Sequence, residues 1–225
     1  MKLSICAIGL NEAEHIEFWY KNHKDFADEM IYIDTGSYDG TQEIAKKLPI
    51  KYYEAKWLHS FADAKNFALR ACTGDWILQL NPDLWIHPDN FQKIKDQMTD
   101  DIVAIAMPSK SSRDFAVYEA SQEVLNDIPP EKIMQLTNCC LFRNYPDIYY
   151  RHRVHENANE SIIENYGRDK IKIIKQVRNH HTSDKVYNNK EKVRYFWFLE
   201  DYGAIERKFW EHAQILRKNC YDNEL

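Results

Sequence analysis

The sequence predicts an α/β fold with a mostly parallel central sheet, and three observations lead to that prediction. Strand-like and helix-like stretches alternate through the first hundred residues, as they do in sheets with helices on both faces. A length of 225 residues with 44% hydrophobic content suits one sizeable core. The alternation ends after Asp89, so we expect a mixed second half.

Four strand signals and three helix signals follow one another in the first half of the chain. The strand-like stretches are "KLSICAIGL", "EMIYIDT", "IKYYEA" and "DWILQL". Asn11 can cap a first helix over about residues 12–26, and "DGTQEIAKKL" reads as a second. "SFADAKNFALRAC" predicts a third helix, capped by Ser60 and ended by Thr73 and Gly74.

The second half combines strands with helices in a different order. A helix to about Met98 precedes the strand-like "DIVAIAM", and "NCCLFRN" follows as a further strand. The tail from Lys185 places apolar residues at helical spacing, which predicts one or two C-terminal helices broken near Gly203.

Composition argues against several classes of partner. A net charge of −5 and a pI of about 6.0 produce no field that attracts phosphate backbones, so we expect no nucleic-acid partner. No apolar stretch approaches the roughly 20 residues that span a bilayer, and the N-terminal apolar run is too short for a signal peptide. Five cysteines without a CxxC pair indicate reduced thiols. The expected location is cytoplasmic, with no transmembrane segment.

Polar clusters stand where strands should end: "GLNE", "IDTGSYDGT" and "LNPD", with "SFADAKN" opening the third helix. Ligands of parallel sheets bind at the carboxyl ends of strands, so these clusters predict one site. Asp34 suits hydrogen bonds from a base or a ribose hydroxyl, whereas Asp39 and Thr41 suit a turn and a helix cap. Asn11 and Glu12 fit either a ligand site or the start of a helix.

Taken together, "LSICAIGLNEAEHI", "IDTGSYDGTQEIA", "FADAKNFALRACTGDWILQLNPD" and "CCLFRNYPDIYYRHRVHE" resemble family-2 glycosyltransferases of the GT-A fold, in the same order and at similar spacing. The resemblance covers most of residues 2–160. It implies an inverting, hexosyltransferase-like enzyme that moves a sugar from a nucleoside-diphosphate sugar to an acceptor. It also implies one GT-A domain over 1–225, with a nucleotide-sugar-binding half (1–100), an acceptor and catalytic half (101–182) and a helical tail (183–225).

The same resemblance assigns the donor site. Asp34 matches the residue that contacts the nucleobase or ribose, and Lys65 in "AKN" matches the basic residue that pairs with the nucleotide. Asn11, Glu12 and Asn81 complete the expected nucleotide-binding set.

A divalent metal site is implied by "NPD", which matches the family's DxD element. Asp83 retains the final carboxylate, which would hold Mn²⁺ or Mg²⁺ against the diphosphate, while Asn81 replaces the first carboxylate with an amide. One of His180 and His181 in "NHH" is expected to complete the metal shell. Without the flanking motifs, "NPD" would read as an Asx-Pro turn.

The "RHRVHE" segment supplies the expected catalytic base. Inversion at the anomeric carbon needs a group that accepts the acceptor's proton, and Glu156 matches that family position. His155 is the rival, because neighbouring residues of an extended segment face opposite ways and only one can enter the cleft.

Two other functions remain open from the sequence. A nucleotidyltransferase shares a similar sheet, although no Gly-rich, basic phosphate loop follows the first strand. A catalytically silent module that binds a nucleotide sugar is suggested by Asn81. The acceptor, whether glycan, lipid or protein, has no readable motif in the variable region 109–135.

Overall fold

A computed structural model describes residues 1–107, 109–110, 139–153, 156–174 and 179–181. The chain divides into two compact units, Met1–Ser183 and Asp184–Leu225. All described residues belong to the first unit, so the predicted C-terminal helices and most of the variable region lie outside the described residues.

Ten strands and five α-helices occur in the described residues. The strands are β1 (Leu3–Gly9), β2 (Glu29–Asp34), β3 (Lys51–Glu54), β4 (Trp76–Gln79), β5 (Leu84–Ile86), β6 (Ala104–Ala106), β7 (Ser109–Lys110), β8 (Cys139–Arg143), β9 (Ile171–Ile173) and β10 (Asn179–His181). The helices are α1 (Ile16–His23), α2 (Thr41–Ala45), α3 (Phe61–Ala71), α4 (Phe91–Lys95) and α5 (Asn159–Tyr166).

Seven strands form the central sheet in the order β3-β2-β1-β4-β8-β6-β9. The first four pair in parallel, β8 runs antiparallel to both β4 and β6, and β9 returns parallel to β6. The predicted α/β fold with a mostly parallel sheet and a mixed second half is therefore confirmed. Because β1, β2 and β4 are parallel, the segments that follow them meet at one edge of the sheet.

Apolar side chains alternate between the two faces of the buried strands and form two cores. In β1, Leu3 and Ile5 join the core that receives Trp19 of α1, whereas Cys6 and Ile8 join the core that receives Leu69 of α3. The alternation follows from the two-residue period of a strand. Helices therefore cover both faces, as the sequence predicted.

The sequence predicted the start of one helix correctly and the start of another wrongly. Ser60 caps α3 as expected, because its side chain accepts a hydrogen bond from the Asp63 N–H. The predicted start of the first helix at residue 12 is wrong, since α1 begins at Ile16 and Asn11 lies in the left-handed region with φ of 59°. Asparagine tolerates that conformation better than most residues.

A smaller sheet has the order β5-β10-β7, and all three of its strands follow β4 along the chain. Strand β5 pairs antiparallel with β10, with His180 opposite Trp85 and His181 opposite Leu84. Among the described residues, no helix has the length and apolar character needed to cross a bilayer.

Candidate functional site

Asp34 is buried at the end of β2 and organises the loop that follows. Its Oδ1 accepts hydrogen bonds from the N–H groups of Gly36 and Ser37, each at 2.8 Å, and Gln42 Nε2 approaches to 3.4 Å. Within the described part of the chain, the Oδ2 atom is buried and has no hydrogen-bond partner. A buried carboxylate oxygen left in that state is costly, so Asp34 is a natural acceptor for a ligand's N–H or O–H donor.

The loop after β1 is tied to the loop after β2 by polar contacts between them. The N–H of Asn11 donates to Ser37 Oγ at 2.9 Å, and Asn11 Oδ1 accepts from the Tyr38 N–H at 3.0 Å. The N–H of Glu12 donates to Thr41 Oγ1 at 2.8 Å. Asn11 thus shapes the site as a loop residue, rather than as the helix cap that the sequence suggested.

The side chains of Glu12 and Asp39 each have a partner in these same loops. Glu12 Oε2 lies 3.0 Å from His15 Nδ1. Asp39 accepts hydrogen bonds from the N–H groups of Ala13 and Thr41, at 3.1 and 3.0 Å, which agrees with its predicted turn role. Burial opposes ionisation of Asp39, but hydrogen bonds from Thr41 and Ala13 outweigh burial and lower its pKa.

Gly9 ends β1 against the Tyr32 side chain. A Cβ atom at this position would overlap the Tyr32 hydroxyl and would lie 2.9 Å from Glu12 Cγ. The absence of a side chain therefore lets β1 end close to the Asp34 loop. Gly9 was not predicted as a site residue, although a glycine at the end of a buried strand is the relevant signal.

Lys65 and Glu156 form an ion pair, with Nζ and Oε1 separated by 2.7 Å. The side chains are only 9% and 16% exposed, so the pair is largely shielded from solvent. Lys65 Nζ also lies 4.9 Å from the centre of the Tyr150 ring, a cation–π distance. The structure thus brings the predicted nucleotide-binding lysine to the predicted catalytic base.

Asn66 holds the segment that leads to Glu156. Its Oδ1 accepts from the Tyr150 N–H at 2.7 Å and its Nδ2 donates to the Tyr150 carbonyl oxygen at 2.9 Å. A further backbone bond runs from the Phe61 N–H to the Arg153 carbonyl oxygen at 2.9 Å. The asparagine of "AKN" was not predicted to act, although its place beside Lys65 was the available signal. His155, the rival base, lies outside the described residues.

The NPD turn, residues 81–83, joins β4 to β5. The Leu84 N–H donates to the Asn81 carbonyl oxygen at 2.9 Å, which closes the turn around Pro82. Asn81 Oδ1 accepts from Gln79 Nε2 at 2.6 Å, so this oxygen is already engaged within the chain. The segment is therefore a backbone turn with Pro82 and Asp83 at its centre, and the Asn81 side chain bonds to Gln79 instead of to the turn.

In the smaller sheet, the backbone of the predicted histidines lies beside the strand that follows the NPD turn. Leu84, the neighbour of Asp83, pairs with His181. The side chains of His180 and His181 lie outside the described part of the chain, so which of them faces the turn stays a prediction.

The donor set described around the NPD turn fits a cation that is shared with a diphosphate. Among the described side chains, no group of three His, Cys, Asp or Glu residues could hold a metal ion. Mg²⁺ and Mn²⁺ bound to nucleotides often use only one or two protein carboxylates, and phosphate oxygens and water complete the shell. Asp83 meets that requirement, so these residues fit a cation that arrives with a diphosphate.

The sequence matches known proteins over the part of the chain that carries this site. The family model for glycosyl transferase family 2 matches residues 4–156. A TPR repeat-containing protein of Synechococcus elongatus is 32% identical over 162 residues, which cover 72% of this chain and 36% of that protein. An uncharacterized glycosyltransferase of Rickettsia felis is 24% identical over 200 residues, covering 87% of this chain and 67% of the relative. The chain thus spans about a third of the cyanobacterial protein's length.

Solved structures share the fold. Glucosyl-3-phosphoglycerate synthase from Mycobacterium tuberculosis, in complex with Mn²⁺, uridine diphosphate (UDP) and glucosyl-3-phosphoglycerate, superimposes with a TM-score of 0.59 at 16% identity, covering 86% of this chain and 75% of that one. S. aureus TarS 1-349 in complex with UDP-GlcNAc gives a TM-score of 0.57 at 14% identity, covering 96% and 70%. At these identities the likeness establishes the fold alone.

Proposed function

The chain belongs to glycosyl transferase family 2 with the GT-A fold, and from that membership we propose that it transfers a sugar from a nucleoside-diphosphate sugar to an acceptor, with inversion and with a divalent cation. The observation that carries the proposal is the pairing of Lys65 with Glu156 at 2.7 Å. The pair places the Lys65 ammonium group, which can bind a diphosphate, beside the Glu156 carboxylate, which can accept a proton.

Each residue has a distinct task in the proposed reaction. Asp34 binds the base or ribose through its unpaired Oδ2, and Lys65 pairs with the diphosphate. Asp83 holds Mn²⁺ or Mg²⁺, with a histidine of β10 as a further ligand. When bound, the cation neutralises charge that develops on the departing diphosphate.

The chemical step exchanges one bond for another at the anomeric carbon. The acceptor's oxygen attacks that carbon, the bond to the diphosphate oxygen breaks, and the nucleoside diphosphate leaves with its electron pair. Glu156 takes the acceptor's proton, and the carboxylate becomes a carboxylic acid until water removes the proton. Glu156 must leave Lys65 to act as this base, and a diphosphate that binds Lys65 releases it.

The engagement of Asn81 by Gln79 supports a second candidate, the catalytically silent module that binds nucleotide sugar. In that case the Asn81 amide oxygen stays bound to Gln79 instead of supporting a cation. The crystal structures of related folds bound to UDP, UDP-GlcNAc or Mn²⁺ support the nucleotide part of both candidates. Hydrolysis of a donor sugar, measured with and without Mn²⁺, separates the enzyme from the silent module.

Thermal shift with UDP, GDP and ADP, each with and without Mn²⁺, tests the proposal directly. A ligand that binds only the folded state raises its melting temperature. We expect one nucleotide to stabilise the wild type, with a further increment from Mn²⁺ that Asp83→Ala removes and Asn81→Asp keeps or enlarges. An equal Mn²⁺ increment in the wild type and Asp83→Ala contradicts the metal role of Asp83.

A further inference from the structure

Helix α1 reaches the NPD turn from both sides through side chains that the proposed reaction does not use. On the entering side, the Trp19 indole Nε1–H donates to the Leu80 carbonyl oxygen at 2.8 Å. Leu80 immediately precedes Asn81, and both Trp19 and Leu80 are fully buried. A buried indole N–H directed at one carbonyl fixes the direction in which the chain leaves β4.

On the exit side, two consecutive residues of α1 hold both polar backbone groups of Ile86, in β5. Asn22 Nδ2 donates to the Ile86 carbonyl oxygen at 3.0 Å. The Ile86 N–H donates to His23 Nε2 at 3.3 Å.

The His23 ring is set in one tautomer by its partners. Its Nδ1–H donates to the Trp19 carbonyl oxygen at 2.7 Å, which leaves Nε2 as the acceptor for the Ile86 N–H. Burial lowers the pKa of His23 to about 4, so the ring is neutral and able to accept at neutral pH. Phe91 packs beside this ring, with ring centres 5.9 Å apart.

Strand β5, which α1 holds, also pairs with β10, the strand that contains the predicted histidines. Ile86 pairs with Asn179, and Leu84 pairs with His181, so a shift of β5 would move Asp83 and β10 together. One helix therefore controls the backbone on both flanks of Asp83 and, through β5, the strand with the other predicted metal ligands.

From this geometry we propose that Trp19, Asn22 and His23 are positioning residues that hold the NPD turn ready for a cation shared with a nucleoside diphosphate. The inference rests on the proposed function, because it assumes that Asp83 receives that cation. Groups that hydrogen-bond directly to metal ligands typically change metal affinity by roughly 10- to 100-fold when they are removed. The α1 side chains act one step further away, on the backbone of Leu80 and Ile86, so we expect an effect at the low end of that range.

The test compares variants on one helix, with UDP and MnCl₂ as probes. Trp19→Phe keeps a ring but removes the N–H donor to Leu80, and Asn22→Ala removes the donor to Ile86. Ile16→Val serves as the core control, because Ile16 is fully buried on the same helix. Lys21→Ala is the surface control, since its side chain is 65% exposed and pairs with Glu17.

Calorimetry of UDP binding, with and without Mn²⁺, reports a property that a general loss of stability does not change. We expect Trp19→Phe and Asn22→Ala to weaken UDP binding in Mn²⁺ by roughly tenfold while UDP affinity without Mn²⁺ stays at the wild-type value. Ile16→Val and Lys21→Ala should match the wild type in both conditions, although Ile16→Val melts at a lower temperature.

Three results would overturn the inference. Unchanged Mn²⁺-dependent affinity in both α1 variants refutes the positioning role alone. An equal loss with and without Mn²⁺ shows a general defect instead. No binding of UDP, GDP or ADP by the wild type, in either condition, refutes the proposed function and the inference with it. If Trp19→Phe fails to fold, Asn22→Ala decides between these results, because Asn22 is only half-buried.

Discussion

Replacing Glu156 by glutamine should tighten nucleotide binding while it strongly lowers the rate of transfer. The structure pairs Glu156 with Lys65, which is the cation we assign to the diphosphate. The carboxylate and the diphosphate therefore compete for one ammonium group. Glutamine keeps the size of the side chain but removes the charge, so Lys65 becomes available to the nucleotide before it binds.

The magnitude follows from the geometry of the pair. At an effective dielectric constant of about 20, two unit charges 2.7 Å apart attract by about 6 kcal/mol. Desolvation offsets most of that attraction, and a net of about 1 to 2 kcal/mol is reasonable for a pair that is largely buried. Loss of the competing carboxylate should then strengthen UDP binding by roughly 5- to 30-fold.

Calorimetry with UDP measures this gain, and Glu160→Gln is the matched control. Glu160 lies on the same segment, pairs with His152, and has a side chain that is 43% exposed. Its replacement changes the net charge equally without touching Lys65. Unchanged or weaker UDP affinity in folded Glu156→Gln, or an equal gain in Glu160→Gln, would refute the competition.

Turnover reports the second half of the prediction once an acceptor is known. Loss of a general base typically lowers kcat by about 10²- to 10⁴-fold, and the KM for the donor should not rise. His155→Ala tests the rival base, because a larger fall in kcat there than in Glu156→Gln moves the role to the histidine. Wild-type kcat in both variants places the base outside this segment.

Two further predictions concern Asp34 and Glu29. Asp34→Ala should weaken UDP binding by about tenfold or more in a folded protein, since it removes a charge-assisted acceptor; unchanged affinity by calorimetry would place the nucleotide elsewhere. Burial raises the pKa of Glu29, but hydrogen bonds from Lys51, Ser4 and Thr73 outweigh burial and lower it to about 2, below the ordinary value of 4.5. The stability that Glu29 contributes, about 1 to 2 kcal/mol after solvent screening, is therefore present above pH 4.5 and lost as pH falls toward 2. The melting temperature should change less with pH across that range in Glu29→Gln than in the exposed-carboxylate control Glu54→Gln. An equal pH dependence of the melting temperature in the two variants would contradict the assignment.

Local patterns in the sequence determined the fold class and much of the candidate site. Strand–helix alternation predicted the parallel half of the sheet, because the burial period of each element is written in consecutive residues. Ser60 was identified as a cap because a cap acts on an N–H only three residues away. Asp34 and Asp83 were predicted from the apolar runs that precede them. Asp34 ends β2, and Asp83 lies in the turn between β4 and β5.

Tertiary structure decided what local patterns could not encode. The first helix begins at Ile16 rather than at residue 12, and Asn11 takes a left-handed conformation. Ser37 and Thr41, from a loop distant in sequence, accept hydrogen bonds from the N–H groups of Asn11 and Glu12. Lys65 meets Glu156 only after β8 joins the sheet antiparallel to β4 and Asn66 holds the intervening segment. The hold of α1 on the NPD turn likewise joins residues about sixty positions apart. Such contacts depend on which chain segments folding brings together, and no repeating pattern along the chain records them.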